Sequence, residues 1–179
     1  MKKLAAVFTI VKDETVFLPI WVKYYSRYFP TEDIYILDHQ STDGSTLNLP
    51  CNVEIVKHNE AFDSKWLTDT VKNFQSKLLQ DYEYVIFAEG DEILVSLEDP
   101  GYDLYDHIKM MKETGRNFDV ATGYELMQNT LTESTYDSTR PILTQRRHYY
   151  PNKLYNKTLI SNIPLEWTPG FHECQFRAT

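Results

Sequence analysis

Residues 84–93 read YVIFAEGDEI, an apolar run from Tyr84 to Ala88 that passes without a break into the charged turn Glu89-Gly90-Asp91-Glu92. A run this short and this rich in β-branched and aromatic residues is a strand covered on both faces. Covering both faces of a sheet requires helices on either side, and the flanking sequence supplies them. Upstream, Ser64 to Gln80 carries Leu67, Val71, Phe74 and Leu78 at helical spacing, with Ser64 as the expected N-cap. Downstream, turn chemistry at Glu98-Asp99-Pro100-Gly101 leads into Tyr102 to Thr114, a helix with Leu104, Ile108 and Met111 inward and Gly115 closing it.

The same alternation extends outward. Leu4 to Val11 is a first buried strand, and Glu14 to Phe29 is an amphipathic helix stopped by Pro30. Asp33 to Leu37 is a second strand, which enters the polar turn Asp38-His39-Gln40-Ser41-Thr42-Asp43-Gly44, and Asn52 to Lys57 is a third. Phe118 to Leu126 reads as a fifth strand with a bulge at Gly123. Residues 128–140 are polar and rich in Ser and Thr, which predicts a surface loop, and the remainder offers short strand-like pieces such as PILTQ and KTLIS. Strands alternating with helices through residue 115 imply a single α/β sandwich with a mostly parallel sheet flanked by helices. Ligands of such sheets sit at the carboxyl ends of the strands. That edge gathers Lys12-Asp13-Glu14, Asp38-His39 and Glu89-Gly90-Asp91.

With 179 residues and a 42% apolar fraction, the chain fits one domain around one core. Its 18 basic and 26 acidic residues give a formal charge of −8, which argues against nucleic acid as a partner. Cys51 and Cys174 belong to no zinc-type cluster and read as reduced thiols. The N-terminal apolar run ends in Lys12-Asp13-Glu14 with no small-residue cleavage site after it, so it reads as a strand rather than a signal peptide. No stretch approaches the ~20 apolar residues of a transmembrane segment, and the cytoplasm is the expected location.

Glu89 and Asp91 flank a glycine, so both carboxylates can face one small volume, where they repel unless a cation intervenes. Hard divalent ions such as Mn2+ or Mg2+ are held by one or two carboxylates together with phosphate oxygens. An isolated E-G-D triplet reads first as a solvated acidic turn, and its place at a strand end is what raises the metal reading. Asp38 stands where it can accept from a base or ribose, or simply shape its own loop. His172, in Trp167-Thr168-Pro169-Gly170-Phe171-His172, is a ligand type suited to Mn2+, or a packed or surface histidine. Arg146-Arg147-His148 with Tyr149 and Tyr150 can reach a phosphate or a sugar ring, or form a solvated face. His39, His58, His107 and His148 read as structural. No GxSxG elbow, GxxxxGK[ST] loop, GxGxxG fingerprint or HExxH pair is present.

Taken together, FTIVKDETVFLPIWVKYYSRYF (8–29), ILDHQSTDGS (36–45), the strand ending in EGDEI and the late WTPGFH (167–172) resemble the GT-A glycosyltransferases. The similarity is to the bacterial and viral family 2-like group, with some likeness to family 92. It implies a single GT-A domain, with residues 1–115 as the nucleotide-sugar-binding half and 116–179 as the acceptor-side half, and a chain that ends soon after His172 as a core cut from a longer protein would. The implied reaction transfers a sugar from a nucleotide-diphosphate donor, a UDP-sugar first, to a glycan or other hydroxyl acceptor. Mn2+ or Mg2+ assists it, and the course is inverting. On this pattern Thr9, Val11 and Glu14 border the nucleoside, Asp38 contacts base or ribose, and Trp167 shapes the sugar or acceptor pocket. Asp91 ligates the metal, Glu89 stands at the first acidic position of the DxD motif, and His172 completes the metal or diphosphate contact.

The chain departs from the pattern in two places. Glutamate replaces the usual first aspartate, which puts Asp91 ahead of Glu89 as metal ligand. The acidic pair that carries the general base is not recognisable, leaving Glu125, Glu166 and Glu173 as the acids to test. Two other readings compete. A sugar-nucleotide nucleotidyltransferase would show a Gly-rich basic loop after the first strand, where this chain has VKDETVF. A non-catalytic carbohydrate- or nucleotide-binding module would leave the acidic turn merely solvated.

Overall fold

The apolar run behind Lys2 forms β1 (Lys3–Val11) at the middle of the sheet, in a computed structural model that describes residues 1–58, 61, 63–96 and 103–175. It is followed by α1 (Phe17–Tyr25), β2 (Ile34–Asp38), β3 (Asn52–Ile55), α2 (Ser64–Leu78), β4 (Tyr82–Phe87) and α3 (Leu104–Glu113). The second half supplies β5 (Phe118–Ala121), β6 (Tyr124–Met127), β7 (His148–Pro151), β8 (Lys157–Ser161), β9 (Glu166–Trp167) and β10 (Cys174–Gln175). The main sheet has the order β3-β2-β1-β4-β8-β5. Its first four strands are parallel, and β8 runs antiparallel between β4 and β5. The architecture is thus mixed α/β, with a mostly parallel central sheet flanked by helices, as the alternation predicts.

Alternation along β1 divides the core in two. Ala5, Val7 and Val11 face Leu18, Trp21, Val22 and Tyr25 of α1 and Leu104, Ile108 and Met111 of α3. Ala6 and Phe8 face Val71, Phe74 and Leu78 of α2, together with Leu165, Trp167 and Phe171 from the C-terminal hairpin. Each large side chain buried in these layers contributes roughly 1.5–3 kcal/mol of transfer free energy. Among the described residues, no helix is long and apolar enough to cross a membrane.

Local differences from the sequence reading have physical causes. Helix α1 begins at Phe17 rather than residue 14, because the Glu14 carboxylate accepts from the N–H groups of Val16 and Phe17 and caps the entry. Asp63, not Ser64, is the N-cap of α2, accepting from Lys65 N at 2.8 Å. Gly115 does close α3: with φ at +67° it sits in a Schellman turn, Arg116 N donating to Met111 O and Gly115 N to Lys112 O. PILTQ contains a single 3-10 turn (Ile142–Thr144) instead of a strand. The turn expected at 98–101 lies outside the described residues.

The fifth strand is two strands. β5 stays in the main sheet beside β8, whereas β6 leaves it to pair with β7. Gly123 marks the break because the chain at Tyr155 crosses it, and a Cβ there would lie 2.4 Å from the Tyr155 Cβ and 2.6 Å from its carbonyl carbon. Gly123→Ala is therefore expected to cost about 3 kcal/mol in urea unfolding. Gly115→Ala, with open space around it but a left-handed backbone, should cost only about 1 kcal/mol. Equal costs would show that the crossing is not tight.

Candidate functional site

The carboxyl ends of β1 and β4 open into a polar cleft lined by Ile10, Val11, Lys12, Glu14, Glu89, Gly90 and Asp91. Parallel register sets Phe8 beside Phe87, and Ala88 N donates to Phe8 O, so the acidic turn starts where β1 still has residues to present. Gly90 lies directly on that strand end, where a Cβ would come within 3.0 Å of Val11 Cγ1. The turn is closed by Glu92 N donating to Glu89 O at 2.9 Å and by Glu89 N donating to Glu92 Oε2 at 3.2 Å. Just beyond it, Tyr24 donates its hydroxyl to Leu94 O, and the Tyr25 hydroxyl accepts from Leu94 N, anchoring the exit to α1.

Lys157, at the head of β8, is the residue that sequence reasoning missed. Its side chain is only 3% exposed, and its ammonium donates to Glu89 Oε2 and, at 2.6 Å, to Glu92 Oε1. Burial pushes the Glu89 carboxyl up, Lys157 opposes this, and the charges of Glu92 and Asp91 reinforce it, so it stays above the ordinary glutamate value. Burial alone would depress the Lys157 ammonium, but the two carboxylates hold it above the usual lysine value. The available signal was a lysine heading KTLIS, whose five positions are all buried, since a buried ammonium needs charged partners.

The loops after β1 and β2 are laced together by carboxylates. Asp13, at φ +53°, accepts through Oδ1 from Thr42 N at 2.6 Å and from Asp43 N at 3.3 Å, while its own N–H donates to Ser41 Oγ. The Thr42 N–H holds the Asp13 carboxyl below its ordinary value against the opposing effect of burial. Asp38 accepts from Ser41 N through Oδ1 and from the Thr46 hydroxyl through Oδ2, both at 2.8 Å. Burial pushes the Asp38 carboxyl up, but donation from Ser41 and Thr46 prevails and leaves it lowered. Both Asp38 oxygens are thus engaged in shaping their loop. Beside them, the Trp66 ring packs against His58 and His39, with centroids 4.4 and 4.6 Å away.

The other candidate residues are dispersed. Val11 and Glu14 line the cleft, whereas Thr9 lies wholly buried beneath Gly90, its hydroxyl without a hydrogen-bond partner among the described residues. Trp167 is a core residue, packed on Phe87 and Phe171 and donating its indole N–H to Thr158 O. His172 is exposed beside Tyr155, 6.3 Å between ring centroids. Glu125 accepts from Asn152 Nδ2 in the small β6–β7 sheet, Glu166 is ion-paired with Lys72 at 2.7 Å, and Glu173 is exposed. Arg146 and Arg147 lie by the 128–140 loop, where Arg147 N donates to Glu133 Oε1. Both cysteines are free thiols.

Among the described residues, no group of three or more His, Cys, Asp or Glu side chains gathers as a metal site. The Asp91 carboxylate is exposed, and no hydrogen bond or ion pair engages it among those residues. One free carboxylate in a polar cleft fits an Mg2+- or Mn2+-type ion whose remaining ligands are phosphate oxygens and water.

No protein-family profile matches the sequence, and no curated protein matches it significantly. Among solved structures, the chain is similar to the mannosyltransferase PcManGT from Pyrobaculum calidifontis in complex with GDP-Man and Mn2+, at 15% identity and a TM-score of 0.36. That likeness covers 56% of this chain and 34% of the other, so the chain matches about a third of the mannosyltransferase's length. It is also similar to CMP:2-keto-3-deoxy-manno-octonic acid synthetase complexed with CTP, at 12% identity and a TM-score of 0.45, over 89% of this chain and 71% of that one.

The engagement of Asp38 carries a pH signature. A carboxyl with its folded pKa lowered contributes stability that is present above the unfolded value and is lost as pH falls through the folded one. Asp38→Asn is expected to lower stability by about 1–2 kcal/mol at pH 7, with the gap to wild type closing below about pH 4. Urea unfolding at the two pH values measures it, and a gap that persists at low pH would assign the loss to packing.

Proposed function

We propose that the chain is a glycosyltransferase that moves a sugar from a nucleotide-diphosphate donor, a UDP-sugar first, to a hydroxyl of a glycan or similar acceptor. The observation that carries this reading is the uncommitted Asp91 carboxylate, held at the carboxyl end of β4 against the end of β1, in the crevice where parallel α/β sheets bind ligands. Asp91 would hold Mn2+ or Mg2+, which when bound supplies electrostatic stabilisation of the charge that develops on the departing diphosphate. The chain's own part is positional. Lys157, Glu89 and Glu92 fix the turn that carries Asp91, and the laced 38–46 loop, bonded to Asp13 and Glu14 beside the cleft, would border the nucleoside.

An inverting transfer also needs a carboxylate that takes the acceptor proton as the hydroxyl attacks. Of the three acids considered, Glu125 and Glu166 are engaged by Asn152 and Lys72. Glu173 is exposed next to His172, and we take it as the first to test.

Calorimetric titration of UDP, GDP and their sugars, with and without Mn2+, tests the reading. Mn2+ is expected to tighten binding of the preferred nucleotide, and Asp91→Asn to remove that gain, weakening binding by about tenfold or more with the fold retained. Undiminished Mn2+-dependent binding in Asp91→Asn would exclude the metal role. No nucleotide binding under any condition would leave a carbohydrate-binding module as the better account.

A further inference from the structure

Glu89, Asp91 and Glu92 put three carboxylates within four residues of one turn, a composition in which all three could be offered to one divalent ion. The geometry is different. Glu89 Oε2 and Glu92 Oε1 both accept from the Lys157 ammonium, and Glu92 Oε2 also accepts from Glu89 N. Lys157 cannot swing away to release them. It is 3% exposed at the head of a strand buried at all five positions, and β8 is pinned between β4 and β5. An ammonium stripped of its carboxylates there would be a buried unpaired charge. An incoming cation would therefore have to compete for Glu89 Oε2 and Glu92 Oε1 with a cation that has no exit, whereas Asp91, alone among the three acids of the turn, carries no ion pair among the described residues.

We propose that Lys157 is a positioning residue that acts as the turn's resident cation: it withholds Glu89 and Glu92 from any divalent ion, leaves Asp91 as the single ligand, and so makes metal binding wait for the diphosphate. The proposal rests on the nucleotide-sugar reading for the identity of the diphosphate, but not for the competition between lysine and metal. One carboxylate holds a hard divalent ion weakly, whereas the same carboxylate plus phosphate oxygens approaches its preferred oxygen shell. The site would then load metal and nucleotide together instead of storing the metal.

Titration with Mn2+ alone, following the free ion by electron paramagnetic resonance, isolates this competition. Wild type is expected to bind Mn2+ weakly without nucleotide. Lys157→Met should bind it about tenfold or more tightly, because two carboxylates are released, and Lys157→Arg, which keeps the charge, should return to the wild-type level. A purely structural lysine predicts equal or weaker Mn2+ binding in Lys157→Met, and that result in a folded variant would overturn the proposal.

Should Lys157→Met fail to fold, Glu89→Gln decides the matter with the lysine still in place. Mn2+ binding in the presence of nucleotide should then stay within about threefold of wild type, and a loss of tenfold or more would make Glu89 a ligand and overturn the proposal. If wild type binds no nucleotide, the proposed function falls, while the nucleotide-free series still decides the role of Lys157.

Discussion

The structure depends on β1 being covered on both faces and paired on both edges. Ala5, Val7 and Val11 serve the α1/α3 layer and Ala6 and Phe8 the α2 layer, with β2 and β4 fixed in register alongside. A one-residue slip would exchange the two sets of side chains and ruin both layers at once, so the register is strongly determined. That same register decides where the polar strand ends come out. Val11 pairs with Asp38 and Phe8 with Phe87, which brings three separate charged turns to one edge of the sheet. The cleft is, in the first place, a by-product of core packing.

Much of this was legible in the sequence because two-sided burial leaves continuous apolar runs, and helices packed on one face leave a 3.6-residue period. The elements through residue 115 follow those signals to within a few residues at their ends. The errors lie where a local signal is degenerate or a distant one decides. Asp63 and Ser64 are both good caps, and only the geometry selects the first. Phe118 to Leu126 has unbroken strand propensity, but the chain passing at Tyr155 parts it at Gly123. Glu14 looked like the first residue of a helix and is instead the acid that terminates its exposed N–H groups.

The site was only half legible for the same reason. The acidic turn and the Asp38 loop announce themselves locally, being polar residues directly after apolar strands. The lysine that engages both glutamates of the turn is 68 residues away from Glu89 and 65 from Glu92, and no spacing rule connects them. His172, Trp167 and the three acids of the second half belong to short elements whose relations are set by packing rather than periodicity. Trp167 illustrates the point, since an aromatic beside a Pro-Gly turn invites a role in binding and its ring completes the α2-side core.

The walls of the cleft differ in kind. One side is the β4 turn, tied down by a buried ion pair and by two tyrosines of α1. The other side, Val11 to Glu14, is backed by the loop of residues 38–46, which hangs on amide-to-carboxylate bonds to Asp13 and Asp38, several of them at the solvent boundary. Bonds of that sort break and reform in small, local openings that leave the strands beneath undisturbed. The same edge of the sheet thereby combines a firmly tied turn with a more compliant loop. The two sides would thus differ in how readily they open, the loop giving way locally while the turn holds.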